Sequence, residues 1–142
     1  MQTENGAVNM EQNTTKDSAC AGTCGCSKGP KIIYPCSGAS DVGELSDRAA
    51  RKLSAEGAGK MSCIVGVGGR VGAMMDIANA ASQILVIDGC LQDCAKKTLE
   101  AAGFTKIDHI RLYDLGLAKG KSPANDSNIE VVVSAGRDML KK

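Results

Sequence analysis

Short apolar runs alternate with amphipathic stretches along the chain from about residue 30 to the end. The clearest run covers residues 84–87, is rich in β-branched side chains and ends at Asp88-Gly89, which is typical of a buried strand. Similar runs predict strands at residues 32–34, 61–67 and 107–112. The pattern therefore predicts four strands separated by other elements.

Between these runs, apolar residues recur every three or four positions, which is the spacing of a helix that buries one face. The first predicted helix begins at an Asp41 cap, with Glu44 completing a capping box, and ends at Gly57. The other predicted helices cover residues 71–81, 91–102 and 128–140, and a strand at residues 131–133 is the alternative in the last of them.

Strands that alternate with helices predict an α/β fold, here a small parallel sheet of about four strands with helices on both faces. This is the three-layer arrangement of Rossmann-like and flavodoxin-like domains, in which ligands bind beyond the carboxyl ends of the strands. The domain is expected to cover residues 30–142. Residues 1–29 contain almost no apolar side chains and are expected to form a disordered tail that carries cysteines. A 2-1-3 strand order would make the ends of the first three strands neighbours.

Composition excludes several classes of function. The net charge of +1 and the presence of only three aromatic residues, two Tyr and one Phe, argue against nucleic-acid binding. No apolar run approaches the roughly 18 residues of a membrane span. The first residues lack the basic and apolar segments of a secretory signal, so we expect a cytoplasmic protein that binds no membrane.

Seven cysteines in a chain without an export signal indicate metal ligation or thiol chemistry in a reducing compartment. Cys90 and Cys94 follow the clearest strand on a predicted helix start, where the positive end of a helix favours thiolate. Cys36 follows the first strand and is expected to converge with them. Cys63 reaches the same site if the second strand begins earlier than Met61, or if it ends at Cys63 and Ile64 onward is loop; otherwise it is a core thiol.

Four groups of residues resemble the DGC-domain family, whose members are small bacterial and archaeal proteins described as zinc-binding. They are the segments at 35–43 (PCSGASDVG), 60–63 (KMSC), 88–94 (DGCLQDC) and 114–116 (DLG), and the resemblance covers residues 31–123. The resemblance implies Zn²⁺ as the cofactor and four cysteine ligands, which match Cys36, Cys63, Cys90 and Cys94. It implies no reaction.

Two classes of function follow from these thiols. In the first, the protein binds zinc for structure, sensing, delivery or storage, because four thiolates at ~2.3 Å close a tetrahedral site and leave no open position. In the second, it is a thiol redox enzyme or a sulfur or metal carrier, with Cys36 or Cys90 as nucleophile and Cys94 as resolving thiol. Expected partners are the metal ion and a metal- or sulfur-transfer protein.

Other candidate features have simpler interpretations. The segment from Cys63 to Arg70 has six intervening residues where a cysteine-phosphatase loop needs five, and residues 66–72 miss the third glycine of a dinucleotide loop. Arg70 is expected to be a solvated charge or a counterion to the thiolates. Asp88 is expected to form the Asp-Gly turn, with orientation of a ligand loop through backbone amides as the alternative. His109 is expected to be a surface-facing or satisfied histidine rather than a ligand.

The tail cysteines Cys20, Cys24 and Cys26 give one prediction. Their spacing of three residues and then one does not match a radical-SAM cluster, but mobile thiols can bind Cu(I) or Zn²⁺. Deletion of residues 1–29 should leave the fold and the core metal intact and should slow metal exchange with a chelator, because a tethered ligand raises its local concentration. Exchange rates of the full-length and truncated chains at equal thiol concentration test this, and equal rates would contradict it.

Overall fold

A four-stranded parallel sheet organises residues 29–141, the part of the chain that the computed structural model describes. The strands are β1 (Lys31–Pro35), β2 (Lys60–Met61), β3 (Gln83–Asp88) and β4 (Asp108–Arg111). Their order is β2-β1-β3-β4, so the predicted parallel sheet is confirmed, and the first three strands have the 2-1-3 order that makes their ends neighbours. The expectations for Cys20, Cys24 and Cys26 concern residues outside the described part.

Helices cover both faces of the sheet, as the alternating pattern predicts. They are α1 (Asp41–Ala55), α2 (Ile64–Gly68), α3 (Gly72–Asn79), α4 (Cys94–Ala101) and α5 (Asp126–Leu140). One core lies between the sheet and α1 with α5, and a second lies between the sheet and α2, α3 and α4. Residues 131–133 lie within α5, so the helical interpretation of this segment is right and the alternative strand is wrong.

The two central strands are apolar on both faces because each face meets a layer of helices. In β1, Ile33 points into the core beneath α1 and α5, while Ile32 and Tyr34 point into the core beneath α2, α3 and α4. All three side chains are fully buried. Aliphatic side chains supply nearly all of the remaining core, as the scarcity of aromatic residues requires.

The predicted strand at residues 61–67 is wrong beyond Met61. The strand ends there, the Ser62 amide donates to the Ile33 carbonyl oxygen at 2.9 Å, and α2 begins immediately after Cys63. Ile64 and Val67 are buried whereas Val65 is 77 % exposed, which is helical rather than alternating burial. Packing therefore overrides the β-propensity of the valines.

A glycine makes that packing possible. A Cβ atom on Gly66 would lie 2.4 Å from the Met74 side chain, so α3 approaches α2 at a distance that only glycine allows.

Two helix starts also differ from the predictions. Ser40, rather than Asp41, caps α1 by accepting the Gly43 amide at 3.2 Å. The fourth helix begins at Cys94 instead of residue 91, because Asp93 adopts the left-handed conformation with φ of 52°. Cys90 therefore lies in the turn before α4 and does not share a helical face with Cys94. Within residues 29–141, no helix is long and apolar enough to cross a membrane.

Gly43 tests the packing of α1 against the loop that follows β1. A Cβ atom on Gly43 would lie 2.4 Å from the Gly38 carbonyl oxygen, whereas a Cβ atom on Gly72, at the start of α3, would meet nothing within 4 Å. Gly43→Ala should lower the free energy of unfolding by about 1–3 kcal/mol through overpacking. The matched control Gly72→Ala should be neutral or stabilise by up to about 1 kcal/mol through helix propensity. Urea denaturation measures both, and equal effects would contradict the close approach.

Candidate thiol site

All four cysteines of residues 29–141 lie at the carboxyl edge of the sheet, and all are free thiols. Cys36 directly follows β1, and Cys63 follows β2 as the residue before α2. Cys90 lies two residues after β3, and Cys94 is the first residue of α4. Because β2, β1 and β3 are neighbours, the thiols follow three adjacent strand ends. The early end of β2 brings Cys63 to this edge, so it is not a thiol buried in the core.

Cys36 bonds the end of β3 through its backbone and the turn after β3 through its sulfur. Its amide donates to the Ile87 carbonyl oxygen at 2.9 Å, and the Gly89 amide donates to Cys36 Sγ at 3.3 Å. The sulfur also lies 3.6 Å from Ser46 Oγ. An amide that donates to sulfur stabilises negative charge on it, whether the thiolate is free or bound to a metal.

Asp88 holds the start of α4 from the end of β3. Its side chain is buried, and it accepts the Ala95 amide at 2.9 Å and the Lys96 amide at 3.1 Å. Asp88 therefore does more than form the Asp-Gly turn, and the alternative that it orients the loop through backbone amides describes it better. These bonds satisfy amides that the start of a helix leaves unpaired, and they fix the backbone beside Cys94.

Two non-glycine residues with positive φ lie directly beside thiols. Asp93, with φ of 52°, precedes Cys94, and Ser37, with φ of 46°, follows Cys36. Arg111 at the end of β4 bonds both carboxylate oxygens of Asp93, at 2.8 and 2.6 Å, and this guanidinium holds the Asp93 pKa below its usual range. Left-handed backbone is costly for such residues, and it persists where neighbouring contacts hold it.

Ser37 has a similar anchor. Its hydroxyl donates to Asp47 Oδ1 at 2.9 Å, and Asp47 in turn pairs with Arg51 at 2.6 Å. Both backbone distortions beside the thiols are thus held by a carboxylate that is itself fixed by an arginine. These contacts could not be predicted from the sequence, because no periodicity of apolar and polar residues links residue 93 to residue 111.

A second donor cluster lies behind the thiols. Oxygen and nitrogen atoms of Asp88, Asp93 and His109 lie within 4.8 Å of one another, the one such group of three among residues 29–141. Asp88 already binds two amides, Asp93 binds the Arg111 guanidinium, and His109 Nε2 lies 3.1 Å from Asp88 Oδ2. The Arg111 guanidinium compensates the charge of Asp93, and Asp88 is satisfied by two amides and His109. His109 is therefore the satisfied histidine that the sequence predicts.

The sulfur atoms are not preassembled into a metal site. Among residues 29–141, no three of them lie within 4.8 Å of one another. Cys36 and Cys94 line a shared cavity of about 390 Å³, and Cys63 opens on a cavity of about 660 Å³. Ile64 and Val65 line both, so the first turn of α2 separates Cys63 from the other two. Cys63 and Cys94 are exposed, which leaves their side chains free to change rotamer.

The electrostatic environment of Cys94 differs from the prediction. Neighbouring protein atoms partly desolvate the exposed Cys94 thiol and raise its pKa, and the negative charges of Asp88, Cys90 and Cys36 raise it further. The positive end of α4 was expected to favour thiolate, but Asp88 occupies its amides and opposes that effect. The groups that repel a bare thiolate here are groups that attract a cation.

Arg70 is exposed, as expected of a solvated surface charge, and it is also tied to the backbone of two helices. Its guanidinium donates to the Val67 carbonyl oxygen at 2.9 Å and to the Ala101 carbonyl oxygen at 2.6 Å. These bonds join the end of α2 to the end of α4. Arg70 therefore stabilises the helical layer that holds one wall of the Cys36–Cys94 cavity.

Comparison with known proteins assigns the chain to a family. The family model of the DGC domain matches residues 32–135. The chain belongs to the DGC-domain family. It is also similar to the anaerobic and virulence modulator AnvM of Pseudomonas aeruginosa, with 36 % identity over 88 residues, which are 62 % of this chain and 67 % of AnvM. No solved structure matches the chain significantly.

The structure gives each residue of the Asp-Gly-Cys tripeptide of this DGC domain a distinct position. Asp88 binds the start of α4, and Cys90 carries its thiol at the edge of the sheet. Gly89 lies so close to α1 that a Cβ atom would be 2.7 Å from the Val42 carbonyl oxygen. This approach places the Gly89 amide against the Cys36 sulfur. The tripeptide thus joins β3, α4 and the loop after β1.

Removal of the Asp88 carboxylate should destabilise the DGC domain around Cys94. Asp88→Ala should lower the free energy of unfolding by about 1–3 kcal/mol, because it leaves buried amides of α4 without acceptors. Hydrogen exchange should accelerate at the Ala95 and Lys96 amides, which lose that acceptor. The control is Asp138→Ala on the exposed face of α5, which should change neither quantity. Unchanged exchange at these two amides would contradict the proposed role of Asp88.

Proposed function

We propose that this DGC domain is a small cytoplasmic zinc-binding protein that holds the ion through Cys36, Cys63, Cys90 and Cys94. The observation that carries the proposal is the position of four free thiols at the carboxyl ends of three adjacent parallel strands. Thiolates are the preferred ligands of structural zinc, and binding beyond the strand ends is the general rule for such sheets.

The chemistry of the site favours a cation. The Gly89 amide at 3.3 Å from Cys36 Sγ is the kind of outer contact that orients a metal-bound thiolate. Near Cys94, the charges of Asp88 and the neighbouring thiols oppose a free thiolate, and a divalent ion would offset that repulsion. The sulfur atoms must move together to reach tetrahedral geometry, and the exposed Cys63 and Cys94 have room to do so.

An exchangeable ion suits this arrangement better than a permanently buried one. Two of the four thiols are exposed, and the cavities beside them open to solvent next to α2. A role in sensing, storage or delivery of zinc follows, with a metal-transfer protein as the partner. AnvM is named a modulator, and a regulatory use of the metal site would agree with that name.

The alternative, a thiol enzyme or sulfur carrier with Cys94 as resolving thiol, is less well supported. A resolving thiol acts as thiolate, and both partial desolvation and negative neighbours raise the pKa of Cys94. No observation on the described residues identifies a substrate for such an enzyme.

The test is metal content of full-length protein purified under reducing conditions without added metal or nickel affinity. We expect close to one zinc per folded domain, and chelation should lower the melting temperature, because the binding energy of such a site contributes to folding. Cys36→Ser, Cys90→Ser and Cys94→Ser should each lose zinc. The matched control is the combined Cys20→Ser, Cys24→Ser and Cys26→Ser variant, which should keep the ion of the core.

Cys63→Ser separates the two functions. If this variant loses zinc as the others do, the site is closed by four thiolates. Retention of zinc would leave three protein ligands and an open position, which favours the enzyme or carrier. Metal-free wild-type protein whose four core thiols react freely, and whose melting temperature is insensitive to chelator, would refute zinc binding altogether.

A further inference from the structure

A cleft on the far side of Cys90 is distinct from the cavities shared by the other thiols. Its volume is about 380 Å³, and it lies between the turn that carries the Cys90 thiol and the loop before α5. Its lining includes Cys90, Leu91, Tyr113, Lys119 and Lys121. None of Cys36, Cys63 and Cys94 lines it.

The walls of the cleft are apolar and unusually exposed. Leu91 is 59 % exposed and Tyr113 is 53 % exposed, which places both among the few exposed large apolar side chains of residues 29–141. They line the same cleft from opposite segments of the chain. Exposed apolar side chains gathered around a concave surface are typical of a site that covers the apolar part of a ligand.

The rim of the cleft is positively charged. Lys119 and Lys121 line it. Among the described residues, the lysines that pair with carboxylates are Lys52, Lys96 and Lys141, so neither lysine of the cleft forms an ion pair there. The nearby Asp41 carboxylate instead accepts the Gly120 and Ser122 amides, at 2.9 and 3.0 Å. Those bonds hold the loop in place while its two ammonium groups stay available to an anion.

From this combination we infer that the cleft recruits small disulfides that carry carboxylates and directs them to Cys90. The ammonium groups attract the carboxylates, Leu91 and Tyr113 cover the apolar atoms, and Cys90 supplies the nucleophile. The Cys90 thiolate attacks one sulfur of the disulfide, a new sulfur–sulfur bond forms to Cys90, and the other half leaves as a thiolate that takes up a proton. Cys90 and the leaving thiol thus exchange places, and no further oxidant is consumed.

The effect of this reaction on zinc rests on the proposed function, because it requires Cys90 to be a zinc ligand. A mixed disulfide at Cys90 removes one thiolate ligand, so zinc should be released when small acidic disulfides accumulate. The selectivity of the cleft itself does not depend on zinc and is tested separately.

The experiment compares two disulfides of opposite charge on full-length protein from which metal has been removed with a chelator. Glutathione disulfide carries carboxylates, and cystamine carries only ammonium groups. Peptide mapping measures the rate of modification at Cys90 relative to Cys63 in the same sample. Cys63 is a suitable internal reference because it is exposed and the charged side chains of its cavity, Asp47 and Arg51, form a pair.

We expect the Cys90-to-Cys63 ratio to be about five- to tenfold higher with glutathione disulfide than with cystamine at low salt, and to fall as salt screens the lysines. The combined Lys119→Gln and Lys121→Gln variant should lose this preference while its zinc content stays that of the wild type. Equal ratios for the two reagents, or a preference that survives in the lysine variant, would overturn the inference. Absence of zinc in all proteins would refute the proposed function and leave the result on the cleft intact.

Discussion

β1 and β3 pair in parallel over five residues, from Lys31 with Gln83 to Pro35 with Ile87, and the pairing continues beyond the strands. The Cys36 amide bonds the Ile87 carbonyl oxygen, and the Gly89 amide reaches the Cys36 sulfur. The register of these two strands therefore sets the position of the first thiol against the Asp-Gly-Cys turn. A shift by one residue would turn every side chain of β1 to the opposite face and would separate the two loops.

The buried carboxylate of Asp88 links this edge to the start of α4 at an electrostatic cost. The carboxylate accepts two amides of the first turn of α4, which would otherwise be unpaired. Its negative charge also disfavours a thiolate at Cys94. In a site that activates a cysteine nucleophile, positive charge lies beside the thiol. The arrangement found here suits thiols whose negative charge is compensated by a bound cation.

Much of this architecture was predictable from the chain. The apolar run that became β3 is buried on both faces, and its pattern is that of a central parallel strand. The helical spacing over α1 and α5 predicted the two helices that cover one face. Cys36, Cys90 and Cys94 were expected at strand ends because β-strands stop at Pro35 and at Asp88-Gly89. Local composition and periodicity carry these features, since each depends on residues close together in the sequence.

The tertiary structure decided the rest. Residues 64–67 are β-branched or glycine and were predicted as strand, yet they form α2, in which Gly66 packs closely against Met74. The early end of β2 leaves Cys63 at the thiol edge. The contacts of Asp93 with Arg111 and of Asp88 with the α4 amides join residues that no periodicity relates. By itself the sequence determined the alternation of strands and helices, apart from α2, and the chemistry available at the strand ends, because both follow from local pattern and residue type. Which thiols share a cavity, and which charges surround them, depended on packing between segments far apart in the chain.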